Sequence, residues 1–400
     1  MKKTKFRVKI TVYLFVREFV IKMTELIKYC IAFIIKISWN ILAPLFPIKK
    51  GRIVFDSYLG EQYSCNPKAL YEYFLLNGSD EFEYIWAFQH PEKFAFLAEN
   101  KNTKICKYRS LTHKFYSFTA QMIVFNFHRT NEMPSRKGQI RLQTWHGSGC
   151  YKKTGKGIGY NSAIHNWVLE RQSKYDITHY VSSSQFFTDE VIHSQYGFHG
   201  NVLSIGMPRN DILFSFDSGM RQSVREKLNI TPEQFAVLYA PTYRDNGATP
   251  KPLDINGLAE SVKQRFGKDA VILLREHRFS KDGEILNGTV DVSDYPDIQE
   301  LFIACDMLIS DYSSGIWDFS FTQKPCLLYT PDLDEYEKMR GFDKDIYSWG
   351  FPVCKDNTEL QNSILTFDGE LYKRNMDKHH EDLGSFENGT ACRQILNLLD

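Results

Sequence analysis

Residues 306–315 read DMLISDYSSG. A short apolar run, Met307 to Ile309, gives way to Ser310 and Asp311, and Ser313, Ser314 and Gly315 then precede another apolar stretch. The run predicts a buried strand, and Ser-Ser-Gly predicts the start of a helix whose free N–H groups and positive dipole end suit a phosphate. Serine and aspartate also cap helices routinely, so this stretch alone does not define a ligand site. A strand feeding directly into a helix is half of a βα unit, and the fold turns on whether the unit repeats.

It repeats in both directions. Around it lie AVLYAPTY (236–243), AVILLREH (270–277), VDVSDY (290–295) and KPCLLYT (324–330), with helical patterns near 254–266, 297–305 and 315–323. Upstream, RIVFDSYL (52–59), YIWAF (84–88), MIVFNF (122–127), RLQTW (141–145), YVSSS (180–184) and VLSIG (202–206) form an earlier series, with helices over NPKALYEYFLL (66–76) and HNWVLERQSKYD (165–176). Two successive βα series predict an α/β fold of two Rossmann-like, doubly wound domains facing a cleft. The Gly/Pro stretch around Gly206 and Pro208 marks the junction, giving domains at 49–207 and 208–400 behind a distinct segment, 1–48.

That first segment carries most of the charge asymmetry. Net charge over 400 residues is +1, yet residues 1–50 hold eleven Lys/Arg against Glu18 and Glu25, leaving the remainder at −8. Arg17, Glu18, Lys22, Glu25, Lys28 and Lys36 interrupt the apolar residues too often for a membrane-spanning helix. At 100° per residue they fall in an arc of about 140° opposite an apolar face, the pattern of an amphipathic helix, closed by Pro44 and Pro47. Basic charge beside an apolar face favours an anionic membrane surface over a helix packed on the protein's own core. No secretory signal is evident. The eight cysteines lack paired metal or redox spacing and read as reduced thiols of a cytoplasmic protein. No nucleic-acid partner is expected.

Ligands of such sheets lie beyond the carboxyl ends of the strands, and these ends are polar. One carries Thr242, Arg244 and Asp245; another Arg275, Glu276, His277 and Arg278; a third Asp311, Ser313 and Ser314. Three such ends in one domain, two bearing arginine, point to a phosphorylated ligand. In the first series, QTWHGSGCYKKTGKG (143–157) is not a P-loop: Gly149 is one position early, Cys150 stands where the first glycine belongs, and Gly157 stands where the hydroxyl residue belongs. His146 ends a strand, is followed by glycines that allow close approach, and is the one comparable base among that domain's strand ends. Lys152 and Lys153 behind it are either a solvated loop or an attraction for an anionic acceptor.

Together, IVFDSYLGEQYSCNPKALYEYF, QTWHGSG, GMPRND, YAPTYRD, LLREHR, VSDYPDIQELFIACDMLISDYSSGIWDF and KPCLLYTPDLDEY resemble, in order from about residue 52 to 343, the CDP-glycerol glycerophosphotransferase family of teichoic acid primases and polymerases. The resemblance implies a GT-B-type pair of domains and peripheral attachment to the cytoplasmic face of the membrane. It implies transfer of glycerol phosphate, or a related polyol phosphate, from a CDP-linked donor to a lipid-linked acceptor, with release of CMP. It makes His146 the general base, with Trp145 and Gly147 beside it in the Trp-His-Gly motif on the acceptor side. It makes His277 the histidine engaging the donor phosphates, and Arg209, Thr242, Arg244, Asp311, Ser313 and Ser314 donor-side residues. The chain departs from the family pattern at Ser148–Gly149, commonly Thr-Pro, and at Arg278, commonly proline. Asp311 offers a single carboxylate to a divalent ion. Rival expectations are a GT-B glycosyltransferase using a nucleotide sugar, which would form a glycosidic bond, and a non-catalytic homologue holding polymer at the membrane.

Overall fold

The computed structural model describes residues 23–24, 27, 30–129, 132–149, 151–158, 163–242, 244, 251–276 and 287–399. Most of the basic amphipathic segment, together with His277, Arg278 and Asp245, lies outside them.

Seven parallel strands form the first sheet: β1 (Lys49–Asp56), β2 (Glu83–Phe88), β3 (Thr103–Lys107), β4 (Ala120–Phe125), β5 (Ile140–Gln143), β6 (His179–Ser182) and β7 (Asn201–Ser204), in the order β3-β2-β1-β4-β5-β6-β7. The central strands are continuous apolar runs because helices cover both faces. Ile53, Val54 and Phe55 of β1 are fully buried, as are Ile85 to Phe88 of β2. Phe55, Trp86 and Phe88 stack in a row with ring centroids 5.2 and 5.3 Å apart, each contributing roughly 1.5–3 kcal/mol by leaving water.

Six parallel strands form the second sheet: β8 (Phe235–Tyr239), β9 (Ala270–Leu274), β10 (Thr289–Asp291), β11 (Met307–Ser310), β12 (Cys326–Tyr329) and β13 (Val353–Cys354), ordered β10-β9-β8-β11-β12-β13. Helices Ile255–Phe266 and Asn357–Leu365 cover one face through Leu258, Val262, Leu360 and Ile364. Helices Ile298–Ala304 and Gly315–Ser320 cover the other through Leu301, Phe302, Ile316 and Trp317. In each sheet the strand order reverses once, between β1 and β4 and between β8 and β11, which are the positions where such sheets open a crevice.

The chain crosses between the two halves in both directions. Tyr151, from the first series, is buried in the second core, its ring 4.4 Å from Trp349 and its hydroxyl 2.9 Å from His379 Nε2. Conversely, Ala391, Cys392 and Ile395 of helix Ala391–Leu396 pack in the first core. The Asp211 carboxylate accepts from the Ala391 and Cys392 N–H groups at 3.0 and 2.8 Å. A division at 207/208 follows the order of the strands, and packing assigns these two pieces to the opposite sides.

Residues 30–41 are helical and lie against the amino-terminal ends of β4 and β5. Lys36 bonds Asp176, and Trp39 meets Phe118 at 5.4 Å. The seven described cysteines are all free thiols.

Candidate active site

His146 lies just beyond β5, one strand past the first sheet's reversal point. The loop that carries it is fixed by its own neighbours: Gln143 Oε1 accepts from the Trp145 N–H at 2.9 Å, and Asn66 Nδ2 donates to the Thr144 and Trp145 carbonyls at 2.9 and 3.0 Å. Trp145 is held at φ 55°, a left-handed conformation that costs a bulky residue energy and persists only where its surroundings impose it.

The half-buried His146 ring sits among aromatics, 4.4 Å from Trp145, 5.2 Å from Phe127 and 5.6 Å from Tyr58. Its Nδ1 is 2.7 Å from the Asn126 carbonyl oxygen. A carbonyl only accepts, so Nδ1 carries the proton and Nε2 carries the lone pair. Burial is the largest influence on its pKa and pushes it down to about 4, with the positive charges of Arg209 and Lys152 acting in the same direction and the Asn126 bond against it. The ring is therefore neutral at pH 7 with its basic nitrogen already selected.

The glycines after His146 bring the two halves together. A Cβ on Gly147 would lie 2.7 Å from Ser314 Oγ, and one on Gly149, at φ 74°, would lie 2.9 Å from Trp317 Cβ. Only hydrogen at these positions lets the loop seat against the start of helix Gly315–Ser320. The structure thus places the Trp-His-Gly stretch in contact with the Ser-Ser-Gly stretch, 168 positions apart in Gly147 and Gly315 numbering.

Beyond β8 and β11, Asp311 accepts from the Thr242 N–H at 2.9 Å and the Tyr312 N–H at 2.6 Å, and pairs with Arg244 Nη2 at 2.9 Å. Arg244 also forks onto Asp332, Nε to Oδ2 at 2.6 Å and Nη2 to Oδ1 at 3.0 Å, while stacking over Tyr312 and Tyr336 at 5.0 and 5.1 Å. Arg244 and Asp311, read from sequence as contacts to the donor, are bonded to each other and shape the loop that presents Thr242. Thr242 Oγ1 is buried without a partner among the described residues. Ser313 Oγ accepts from the Gly315 N–H at 3.2 Å, and Ser314 stands at the N-cap without a side-chain cap bond.

Arg209, expected on the donor side, is engaged by protein groups in this structure. Its guanidinium is buried, pairing with Asp318 at 2.6 Å and donating to the His146 carbonyl at 2.8 Å. It ties the His146 loop to the second domain. Arg275 differs from both arginines: it donates to the Val292 and Tyr295 carbonyls at 3.3 and 2.6 Å, which are neutral acceptors, and no carboxylate among the described residues pairs with it directly. Burial lowers its pKa, with Asp297, Tyr58 and Asp294 opposing. Lys152 bridges to Phe342, and the Lys153 N–H donates to the Gly341 carbonyl at 3.2 Å, so these lysines run along the second domain.

Sequence reasoning missed Tyr58, Asn66, Asn126, Asp318 and Asp332. Tyr58 and Asn126 follow strands exactly as His146 does in kind, and that position was their signal. Asp318 and Asp332 lie within or beside helical stretches, where nothing in composition separates a buried partner from a solvated acid.

A family profile described as CDP-Glycerol:Poly(glycerophosphate) glycerophosphotransferase matches residues 39–400. The chain is 30% identical over 384 residues to a teichoic acid poly(glycerol phosphate) polymerase of Bacillus spizizenii, covering 89% of this chain and 93% of the relative. It is 29% identical over 364 residues to a teichoic acid glycerol-phosphate transferase of Staphylococcus aureus, covering 86% and 92%. Among solved structures it resembles a variant of the wall teichoic acid polymerase TagF soaked with CDPG, with a TM-score of 0.79 and 25% identity over 95% of this chain and 97% of that one.

Proposed function

Because the chain belongs to the CDP-glycerol:poly(glycerophosphate) glycerophosphotransferase family, we propose that it uses the cleft between its two sheets to move glycerol phosphate from CDP-glycerol onto a lipid-linked acceptor during teichoic acid synthesis, releasing CMP. An acceptor hydroxyl attacks the β-phosphorus, a new phosphodiester bond forms, and the bond to the bridging oxygen of CMP breaks with its electron pair leaving on CMP. His146 Nε2 takes the hydroxyl proton. The observation that carries this role is the Nδ1–Asn126 carbonyl bond at 2.7 Å, which leaves Nε2 as the basic atom on the cleft side of a ring that is neutral at pH 7.

On the donor side, Arg275, Thr242 and the Ser313–Ser314 turn meet the diphosphate, and His277, which lies outside the described residues, is given the same role by its match to the family motif. Positive charge and N–H groups there stabilise the charge that develops on departing CMP. A diphosphate in the cleft raises the pKa of the nearby imidazole, since a negative charge favours its protonated form, and so strengthens the base once the donor is bound. Asp311 is a poor divalent-ion ligand here because the Thr242 and Tyr312 N–H groups and Arg244 already occupy its oxygens.

No described helix is long and apolar enough to cross a membrane. Attachment to the cytoplasmic face is assigned to the basic first 48 residues, supported by the exposed Ile31, Ile34 and Ile41 of the described helical part. Incubation with CDP-glycerol, CDP-ribitol and a membrane acceptor tests the reading: CMP and a chain-linked phosphodiester are expected with the glycerol donor. Free sugar-nucleotide turnover, or no CMP at all, would exclude it. Deleting residues 1–48 should release the protein from anionic vesicles.

A further inference from the structure

At the amino-terminal end of β5 a cavity of about 640 Å3 opens between the helical segment 30–41, the turn 135–139 and the helix Ala163–Asp176. Five cations line it, Lys36, Arg136, Lys137, Arg141 and Arg171, against one carboxylate, Asp176. That carboxylate is engaged by Lys36. Arg136 donates to the Ala43 and Phe46 carbonyls and Arg141 to the Asp176, Arg136 and Tyr175 carbonyls. Neutral carbonyls orient these guanidinium groups without cancelling their charge, so the cavity keeps a surplus of positive charge.

Its rim has a second character. Arg171 is flanked by Trp167 and Tyr175, four residues before and after it on one helix face, at 5.0 Å from each ring, and the two rings are 43% and 50% exposed. Across the cavity, Phe33 and Ile37 line its wall, and Ile34 and Ile41 beside them are 65% and 72% exposed. Aromatic side chains with a polar edge, exposed isoleucines and a basic hollow between them match the boundary between lipid headgroups and acyl chains. A soluble anion would use the cations and leave the apolar rim without a purpose.

We infer that this cavity is a seat for the phosphate headgroup of an anionic membrane lipid, whose chains lie along the exposed isoleucines and Trp167. The inference rests on the membrane-surface reading given above and makes it specific. The seat is not the acceptor site: Arg141 stands near the start of β5 and His146 beyond its far end, and neither His146 nor its neighbours Trp145 and Gly147 line the cavity. One lipid held there fixes the orientation of the enzyme on the bilayer. It also adds a specific contact to the non-specific attraction of the basic amphipathic segment.

The test uses the full chain and short-chain phosphatidylglycerol below its micelle concentration, followed by calorimetry, alongside sedimentation with phosphatidylglycerol or phosphatidylcholine vesicles. Saturable one-site binding of the short-chain lipid is expected. Lys137→Gln with Arg171→Gln should weaken it at least ten-fold, about the effect of removing two basic groups at an anionic surface. Lys2→Gln with Lys3→Gln removes the same charge and should leave it intact. Lys137→Gln alone, at an exposed side chain, gives a smaller loss without risk to folding, and transfer to a water-soluble acceptor stays unchanged in all of them. Equal weakening by both pairs would reduce the seat to general surface charge, and inorganic phosphate binding as tightly as the lipid would make it a soluble-anion site. If the cavity variant keeps full vesicle binding while deletion of residues 1–48 abolishes it, the seat fails and the membrane reading stands. If neither change matters, both fail.

Discussion

His146 and Arg244 each follow the carboxyl end of a parallel strand, and they are held in opposite ways. The imidazole is fixed by one neutral carbonyl and a surround of aromatic rings. The guanidinium is fixed by two carboxylates and two stacked tyrosines. A neutral clamp orients a group and leaves its reactive atom available, whereas a charged clamp consumes the group it holds. The same contrast separates Arg209, locked to Asp318, from Arg275, which among the described residues donates to the Val292 and Tyr295 carbonyls. Charge type alone therefore does not mark a ligand contact; what the charge is already facing does.

The sharpest way to break this comparison is His146→Ala. Turnover should fall by roughly 100-fold to 10,000-fold while calorimetric affinity for CDP-glycerol stays close to that of the parent. Near-normal turnover in a folded variant would make the ring structural.

Arg244→Met attacks the other clamp. It leaves Asp311 and Asp332 without their counter-charge, and removing one partner of a buried pair costs about 3–5 kcal/mol, read by urea unfolding. Adding Asp332→Asn should recover part of it. If Arg244→Met instead unfolds like the parent and only weakens donor binding, Arg244 is a ligand contact and the contrast collapses.

Gly149→Ala tests the seam where the two clamps meet. Its Cβ would crowd the Tyr151 ring and Trp317 at a left-handed backbone position, which should lower stability by about 2 kcal/mol. A variant with an unchanged thermal midpoint would show that the loop seats less tightly.

The smallest expected effect concerns pH. Burial lowers the His146 pKa to about 4, so between pH 7.5 and 5.5 the free enzyme keeps its base neutral and kcat/KM should change by less than about two-fold. Protonation removes activity only as pH falls toward 4. A histidine at its ordinary value of about 6.5 would be mostly protonated at pH 5.5 and would lose about ten-fold. An acid limb centred near 6.5 in kcat/KM would mean that the ring is solvated.

The βα alternation was legible because covered parallel strands are continuous apolar runs, as in Ile53–Phe55 and Ala236–Leu238. Thr103–Lys107 escaped notice because this edge strand has only Ile105 and Cys106 between two lysines, and Val353–Cys354 is too short to leave a pattern. His146 was legible from its place after a strand and before glycines. The fate of Arg209 was not, since its partner Asp318 is 109 positions away and only the folded chain brings them together. Nor does local sequence show that Tyr151 will be buried among Trp349 and His379.

That last crossing matters to anyone recombining relatives to change which polyol is transferred. A chimaera joined at a single point near residue 207 would import a foreign pocket for Tyr151 and a foreign bed for helix Ala391–Leu396 in the same step. The unit of exchange is the second sheet together with the 147–153 loop, with the final helix left behind, so a working hybrid needs several seams, chosen by what each stretch touches.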